Sequence, residues 1–473
     1  MKNTLFYLFL ILIFSSSCSV QKALENEVDF IINEVNVVDV VNGEIHHNQS
    51  VAIVGNKIVD IYEESAQAIK AAKIINASGQ YLIPGLWDMH AHYSLTYTFS
   101  NPLLIANGVT GIREMWGLMD TIQMIRTKTI AGKMTAPDIY SAGNIIDGNP
   151  PIWPGSVGAG NPEEVEKELD SQIAAGVDFF KVYSLLKKDT YHAIAKKSKA
   201  VNIPFAGHIP DEVSVWEAIA ANQQSMEHMY GILRTCSNDP DSIATFTGYT
   251  RFGAARTNLL VDSYDAQLFD SLANALANSN TWLSPTLSVL KNIATMDDTT
   301  KIEDPRMAYM PPHVHYMWNP KNDFRFKYAT PDIYQANQRR FQFEQQLVGQ
   351  LAKAGVKIIA GTDYSNPFCY PGFSLHDELS LLVEGGLSPA HALKAATYNP
   401  AVFMKKEKEL GQVAIGQIAS LVLLEKNPLD NISHTKSING VFLRGQYFDR
   451  AQLDALLLEA KRIAAKTENP FGN

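Results

Sequence analysis

The sequence predicts an α/β protein in which a (β/α)8 TIM barrel, residues 81–409, carries a small composite β-sandwich built from both ends of the chain, residues 26–80 and 410–450. Three observations predict it. Through the middle of the chain, short apolar runs alternate with amphipathic stretches, the pattern of repeated βα units. Eight such apolar runs occur, the number that closes a barrel. The two flanking parts share another texture, short strands broken by turns such as Asn-Gly and Gly-Asn, as in hairpins.

The chain opens with a separate object. Lys2, the apolar stretch Leu5 to Phe14 and the small residues "SSSCS" read as an export signal over residues 1–17. The stretch is too short to remain as a membrane span. It resembles a bacterial lipoprotein signal, which implies that the Cys18 thiol is lipidated and becomes the first residue, although Ser15 stands where that signal usually has Leu. Ordinary cleavage beside an incidental cysteine is the alternative. Either way the expected location is outside the cytoplasm, and in the lipoprotein reading a lipid anchor at Cys18 is the only membrane contact. The full chain of 473 residues, 46% hydrophobic, suits one large core and a smaller unit. With 49 acidic and 40 basic side chains, a formal charge of -9 and no basic block, a nucleic-acid partner is excluded and a small-molecule substrate is expected.

After a short polar linker, "DFIINEVNVVDVVNGEIHHNQSVAIVGNKIVDIYEE" supplies the first hairpins, and "GQIASLVLLEKNPLD" with "INGVFLRGQYFD" supplies partners near the far end. Neither part is sufficient alone, so they are expected to fold together. The barrel strands are "YLIPGLWDMHAH", "GVTGIREM", "DIYSAG", "VDFFKVYS", "IPFAGHI", "QSMEHM", "TWLSPTL" and "KIIAGTD". Helices are expected over 162–175, 189–200, 211–222, 264–279 and 335–354, with Gly176 and Gly355 at helix ends. Residues 286–334, rich in Pro, Tyr and Trp, are too long for a plain connection and should cover the barrel mouth. Residues 451–473 form a C-terminal helix and tail.

In such a barrel the C-terminal ends of the strands surround one mouth. Those ends carry His90, His92, Lys181, His208, His228 and Asp363, each a possible metal ligand. Residues i and i+2 of a strand face the same side, so His90 and His92 reach one ion together. Apart from Cys18 the chain holds only Cys236 and Cys369, so a metal must be bound through nitrogen and oxygen. Lys181 interrupts an apolar strand, where an unpaired ammonium sheds its proton. The neutral amine can then add carbon dioxide to become a carboxylated lysine bridging two cations. The alternative is an ion pair with Glu114 or Glu227.

"PGLWDMHAH", the Lys of "FFKVY", "GHIP", "MEHMYG" and "AGTD", together with "GVTGIREMWG" and "HDELSLLVEGGLSPAHALKAATYNPA", resemble the metal-dependent amidohydrolase superfamily, in particular its imidazolonepropionase-like and Xaa-Pro dipeptidase-like branch. The resemblance covers nearly all of the mature chain. It implies two divalent ions, usually zinc: His90, His92 and Asp363 on one, His208 and His228 on the other, and carboxylated Lys181 between them. It further implies hydrolysis of a C–N bond in an N-acyl amino acid, dipeptide or cyclic amide by a metal-bridging hydroxide. Asp363 is then both ligand and acid-base catalyst.

The sequence departs from that branch in places. It has "DGNPPIWPG" where dipeptidases carry a Gly-Gly-His segment, and Ser420 in "GQIASLVLL" where an aspartate is common. Asp211 and Glu212 follow strand five, near the position of a deaminase proton shuttle, so a mononuclear deaminase of a cyclic imine or amine is one alternative; Asp211 also reads as a helix cap. A metal-bearing binding protein without turnover is the other. Arg113 either holds a substrate carboxylate or pairs with Glu114 or Asp88. Tyr183 and Tyr230 either face substrate or pack. His313 and His315 are expected to make a lid contact and not a third metal site. Cys236 and Cys369 should emerge on the same mouth of the barrel, where a disulfide between them is possible.

Overall fold

The computed structural model describes residues 28–63 and 69–468; the expected leader and Cys18 lie outside the described residues. Strands β1 (Val28–Asp39), β2 (Glu44–Val54), β3 (Lys57–Glu63), β4 (Ala71–Asn76) and β5 (Tyr81–Pro84) come first. β1, rich in β-branched residues, pairs antiparallel with β2 and parallel with β4 and β5.

The barrel strands follow: β6 (Leu86–Ala91), β7 (Val109–Glu114), β8 (Asp138–Asp147), β9 (Val157–Gly158), β10 (Phe179–Val182), β11 (Phe205–Gly207), β12 (Ser225–Glu227) and β13 (Trp282–Ser284). All but β9, which pairs only with β8, are successive parallel neighbours from β6 to β13. The segment "KIIAGTD" fills the eighth position through single bridges. On one side Leu283 N donates to Lys357 O and Ile359 N to Leu283 O; on the other Met89 N donates to Ala360 O and His92 N to Tyr364 O. The run expected as one strand, "YLIPGLWDMHAH", divides at Gly85. A Cβ there would stand 2.1 Å from Thr110 Oγ1, so the passage from sheet to barrel requires glycine.

The chain ends with β14 (Leu421–Leu424), β15 (Ile438–Leu443) and β16 (Gln446–Asp449). β14 lies antiparallel between β5 and β15, so one hydrogen-bonded sheet joins both ends of the chain. Its pleat sorts the side chains. Leu421 and Leu423 join Ile32, Val51 and Leu82 in the sheet's own core, while Val422 and Leu424 enter the barrel core.

Four expected helices are found at Pro162–Ala175, Lys188–Val201, Ala266–Ala277 and Pro331–Lys353. The one expected over 211–222 is confined to Val215–Ala220 because Ser214, not Asp211, caps it in a capping box with Glu217. Residues 286–334 contain the helices Leu287–Ala294 and Pro312–Met317, and Met307, Val314 and Trp318 pack with Phe99, Phe368 and Tyr370. The helix Arg450–Lys466 packs on the helix Tyr97–Ala106. Among the described residues, no helix is long and apolar enough to cross a membrane.

Candidate metal centre

The ends of β6, β10, β11 and β12 and the "KIIAGTD" segment bring His90, His92, Lys181, His208, His228 and Asp363 into one group. Asp363 is its hub. Oδ1 lies 2.9 Å from His92 Nε2 and 3.4 Å from His90 Nε2, and Oδ2 lies 3.8 Å from His228 Nε2. The His228 ring is 4.5 Å from that of His90 and 4.8 Å from that of His208, centre to centre. Lys181 is buried in β10 with its Nζ 5.9 Å from the Tyr183 ring centre.

Three imidazoles are aimed through their Nδ1 atoms. His90 Nδ1 meets Glu227 Oε2 at 2.8 Å, His208 Nδ1 meets Ser184 Oγ at 2.8 Å, and His228 Nδ1 meets Thr286 Oγ1 at 2.6 Å. Such contacts fix ring orientation and leave the other nitrogen free to ligate. Two buried atoms, Asp363 Oδ1 and His92 Nδ1, have no hydrogen-bond partner among the described residues, although His92 Nε2 approaches Oδ1 at 2.9 Å. Converging lone pairs without donors are an environment that a cation satisfies, and the residues therefore fit a metal.

The backbone is arranged for this purpose at some cost. His228 and Asp363 each have φ of 60° and Thr286 has φ of 47°, left-handed values that non-glycine residues seldom adopt. Gly207 clears space for the lysine, since a Cβ there would meet Val182 O at 2.1 Å and the Lys181 Cδ at 3.1 Å.

Burial governs the charges. It pushes His90 and His208 well below the ordinary imidazole value and His228 down to about 4, so these rings are neutral, as ligands must be. It pushes Lys181 down to about 8 against the opposing fields of Glu227 and Asp363. Burial alone would raise Asp363, and the imidazoles packed around it oppose that rise.

Two expectations are corrected. Arg113 is fully buried and does not reach a substrate: its Nη2 donates to both Glu227 oxygens at 2.9 Å, Nη1 to Ser225 Oγ at 2.7 Å and Nε to Met89 O at 2.5 Å. Nor does it pair with Glu114 or Asp88. Glu114 accepts from the backbone of Tyr93, Ser94 and Trp116, and Asp88 accepts from Thr362 and from His90 N. The disulfide is absent: Cys236 and Cys369 are free and buried in the apolar core of the barrel, and Cys369 Sγ instead takes a 3.5 Å contact from the Asn292 amide. Each thiol is turned inward as a small apolar group.

Tyr183 and Tyr230 both face the cavity. Tyr183 stacks on His208 at 3.9 Å and accepts a hydrogen bond from Trp153 Nε1, and the Tyr230 ring is 4.9 Å from His208 and 5.2 Å from His228. Glu227, weighed as a partner for Lys181, is committed to Arg113 and His90, and no ion pair ties Lys181 to it or to Glu114 among the described residues. Asp211 pairs with Arg234 and Arg251, and His315 Nε2 meets Met307 O at 2.9 Å. The sequence reading missed Ser184, Thr286 and the arginines lining the cleft beside His208, namely Arg234, Arg251, Arg256, Arg325 and Arg340. Only their residue type, scattered over several loops, could have flagged them.

Fold and centre together define a (β/α)8 barrel protein with a cluster of histidines around a carboxylate at the mouth. The chain belongs to the amidohydrolase family, whose model, described as "Amidohydrolase family", matches residues 163–447. It is 25% identical over 239 residues to adenine deaminase 3 of Rhizobium meliloti (strain 1021), a match covering 42% of this chain and 39% of that protein. Among solved structures, a bottromycin amidohydrolase has a TM-score of 0.72 at 22% identity, covering 92% of this chain and 90% of its own. A Xaa-Pro dipeptidase with bound methionine has a TM-score of 0.66 at 18% identity, covering 89% and 99%. At these identities the structural likenesses establish the fold.

Proposed function

We propose that this protein is a binuclear metallohydrolase that cleaves a C–N bond of amide type in a small substrate. The observation that carries the reading is the centre itself: imidazoles aimed by Nδ1 partners around an Asp363 whose buried Oδ1 lacks a donor. His90, His92 and Asp363 would hold one divalent ion, His208 and His228 a second, with carboxylated Lys181 between them. Such ions, zinc most commonly in this coordination chemistry, supply a water of near-neutral pKa and polarise a carbonyl. The protein's own residues do the rest. Asp363 Oδ1 takes the proton released as water attacks and passes it to the leaving nitrogen. Tyr183 and Tyr230 wall the reacting carbonyl and restrict bulk water. Glu227 keeps His90 in one tautomer, and Arg113 keeps Glu227 ionised.

A second reading, deamination, is favoured by the similarity to an adenine deaminase. Against it, Asp211, the nearest candidate proton shuttle after β11, is engaged by Arg234 and Arg251. Metal analysis of the purified protein, 13C NMR after exposure to labelled bicarbonate, and a panel of N-acyl amino acids, dipeptides, lactams and iminopurines test both. Two metal equivalents, a carbamate signal and amide cleavage are expected. One equivalent, no carbamate and ammonia release from an iminopurine would replace the hydrolase with the deaminase. Export and lipidation at Cys18 belong to the same proposal and are checked by mass spectrometry of the mature N-terminus.

A further inference from the structure

The segment over the barrel mouth carries apolar side chains that its own packing does not use. Trp318 and Phe326 are buried, the first against Phe368 and Tyr370, the second against Tyr334. Beside them four large side chains face solvent: Tyr316 is 68% exposed, Met317 41%, Phe324 36% and Tyr328 79%. All four fall within thirteen residues, whereas exposed apolar residues such as Ile130 and Leu458 stand singly, as on an ordinary surface.

The loop presents them on a fixed frame. Asn322 Nδ2 donates to Tyr316 O at 2.8 Å, and Phe326 N and Lys327 N both donate to Asp323 O, at 3.0 and 2.9 Å. Trp318 Nε1 donates to Ser365 O at 3.1 Å and Arg325 Nη1 to Asn366 Oδ1 at 3.3 Å, which pins the loop to the residues that follow Asp363. A surface held in this way loses little freedom on docking. Its charge is lopsided. From residue 311 to 330, Lys321, Arg325 and Lys327 stand against Asp323 alone, and Arg325 already pairs with that carboxylate at 2.7 Å. Lys321 and Lys327 are exposed, and Lys327 Nζ lies 4.8 Å over the Tyr328 ring. The next acid, Asp332, begins the helix Pro331–Lys353. In a chain of net charge -9 this positive excess is local.

We propose that Tyr316, Met317, Phe324 and Tyr328 dock on an anionic phospholipid bilayer, a second membrane contact beside the lipid, which turns the mouth of the barrel toward the membrane. Aromatic rings with a polar tip settle at the headgroup boundary, and the two lysines meet anionic headgroups there. A second copy of the chain suits the surface less well, because a two-fold contact sets the same positive patch against itself. The proposal rests on the exported, lipid-anchored reading above for where a membrane is met. A lipid at Cys18 would hold Val28, ten residues further on, within at most about 36 Å of the bilayer, so that docking becomes intramolecular.

The test is cosedimentation of the chain beginning at Ser19, which keeps every described residue and carries no lipid, with vesicles of three parts phosphatidylcholine to one of phosphatidylglycerol and with phosphatidylcholine alone. Wild type should bind the mixed vesicles at millimolar lipid, about fivefold or more tighter than the neutral ones, and sodium chloride should weaken that binding. Tyr316→Ser combined with Tyr328→Ser should weaken it about tenfold or more, and Lys321→Gln combined with Lys327→Gln should remove the preference for phosphatidylglycerol, both with an unchanged thermal transition. No binding at millimolar lipid, binding that survives the tyrosine pair, or equal binding to both kinds of vesicle would overturn the proposal. So would a wild-type dimer that the tyrosine pair converts to a monomer while neither form binds vesicles, since the surface then joins two copies. If the tyrosine pair does not fold, the lysine pair and the wild-type lipid preference decide alone. Mass spectrometry of the mature N-terminus is read separately: vesicle binding by a protein that carries no N-terminal lipid in its own host keeps the surface and removes the anchor, and lipidation without vesicle binding does the reverse.

Discussion

Asp363 and Glu227 are both buried carboxylates at the same mouth, yet their neighbours give them different work. Asp363 faces imidazole nitrogens and has an oxygen without a donor, so its replacement should affect turnover more than folding. Asp363→Asn should lower kcat about 10²- to 10⁴-fold in the amide assay while the circular dichroism spectrum is unchanged. Glu227 is held on one side by Arg113 and on the other by His90. Glu227→Gln leaves a buried guanidinium without its anion, and urea unfolding should show a loss of about 3–5 kcal/mol. Burial alone would raise Glu227, but Arg113 and then His90 hold its carboxyl well below the usual carboxylate range. A carboxyl depressed on folding contributes stability that is complete above its unfolded value and lost as pH falls below it. Wild type should therefore lose stability as pH is lowered from about 4.5, and Glu227→Gln should lack that part of the acid dependence. The same residues show what a sequence can reveal. His90 and His92 are legible because strand period and barrel topology together fix where they point. Arg113 is not, because an arginine at a strand end serves a substrate or a buried carboxylate equally well, and only its depth in the barrel decides. The cysteines fail for a similar reason: their positions after strands six and eight do not reveal that both side chains turn into the core.

At the level of elements, the helix Leu287–Ala294 illustrates how a ligand is held by something remote from it. Thr286 stands at its N-cap position but its hydroxyl is taken by His228 Nδ1. The cap comes instead from Glu378, in the helix Phe373–Glu384, which accepts from Leu287 N at 2.9 Å, Ser288 N at 2.6 Å and Ser288 Oγ at 2.8 Å. Carboxylates are favourable at such a terminus because the first amide groups of a helix have no internal acceptors. Glu378→Gln should cost about 1–3 kcal/mol in urea unfolding and, by loosening Thr286, weaken metal retention during dialysis. Thr286 and Glu378 lie in stretches the sequence singles out, but neither residue's role is legible there. Helices with a regular apolar stripe, such as Pro331–Lys353, were legible almost to their ends, whereas the short helices between 232 and 262 were not, since segments of this length show too little periodicity.

On the scale of the whole molecule, sheet and barrel are one structure. Val422 and Leu424 of β14 are fully buried in the barrel core, and their neighbours Leu421 and Leu423 in that of the sheet. A fragment consisting of residues 81–409 would keep every proposed ligand and lose that covering. It should show no cooperative thermal transition and should aggregate, although the six metal-centre residues are all present. Similar hairpin texture at the two ends suggested that they fold together, but the pairing of β14 with β5 could not be read from either segment, because register between strands so far apart is a property of the assembled sheet.

The position of β14 also imposes an order of events during synthesis. β5 leaves the ribosome early, and most of the polypeptide is translated before Leu421–Leu424 can pair with it. Through that interval the nascent sheet exposes a bare edge, and contacts so distant along the chain form slowly. A ribosome that stalls before this strand releases a product whose β5 edge is free to pair with its neighbours, an edge that β14 covers in the full chain.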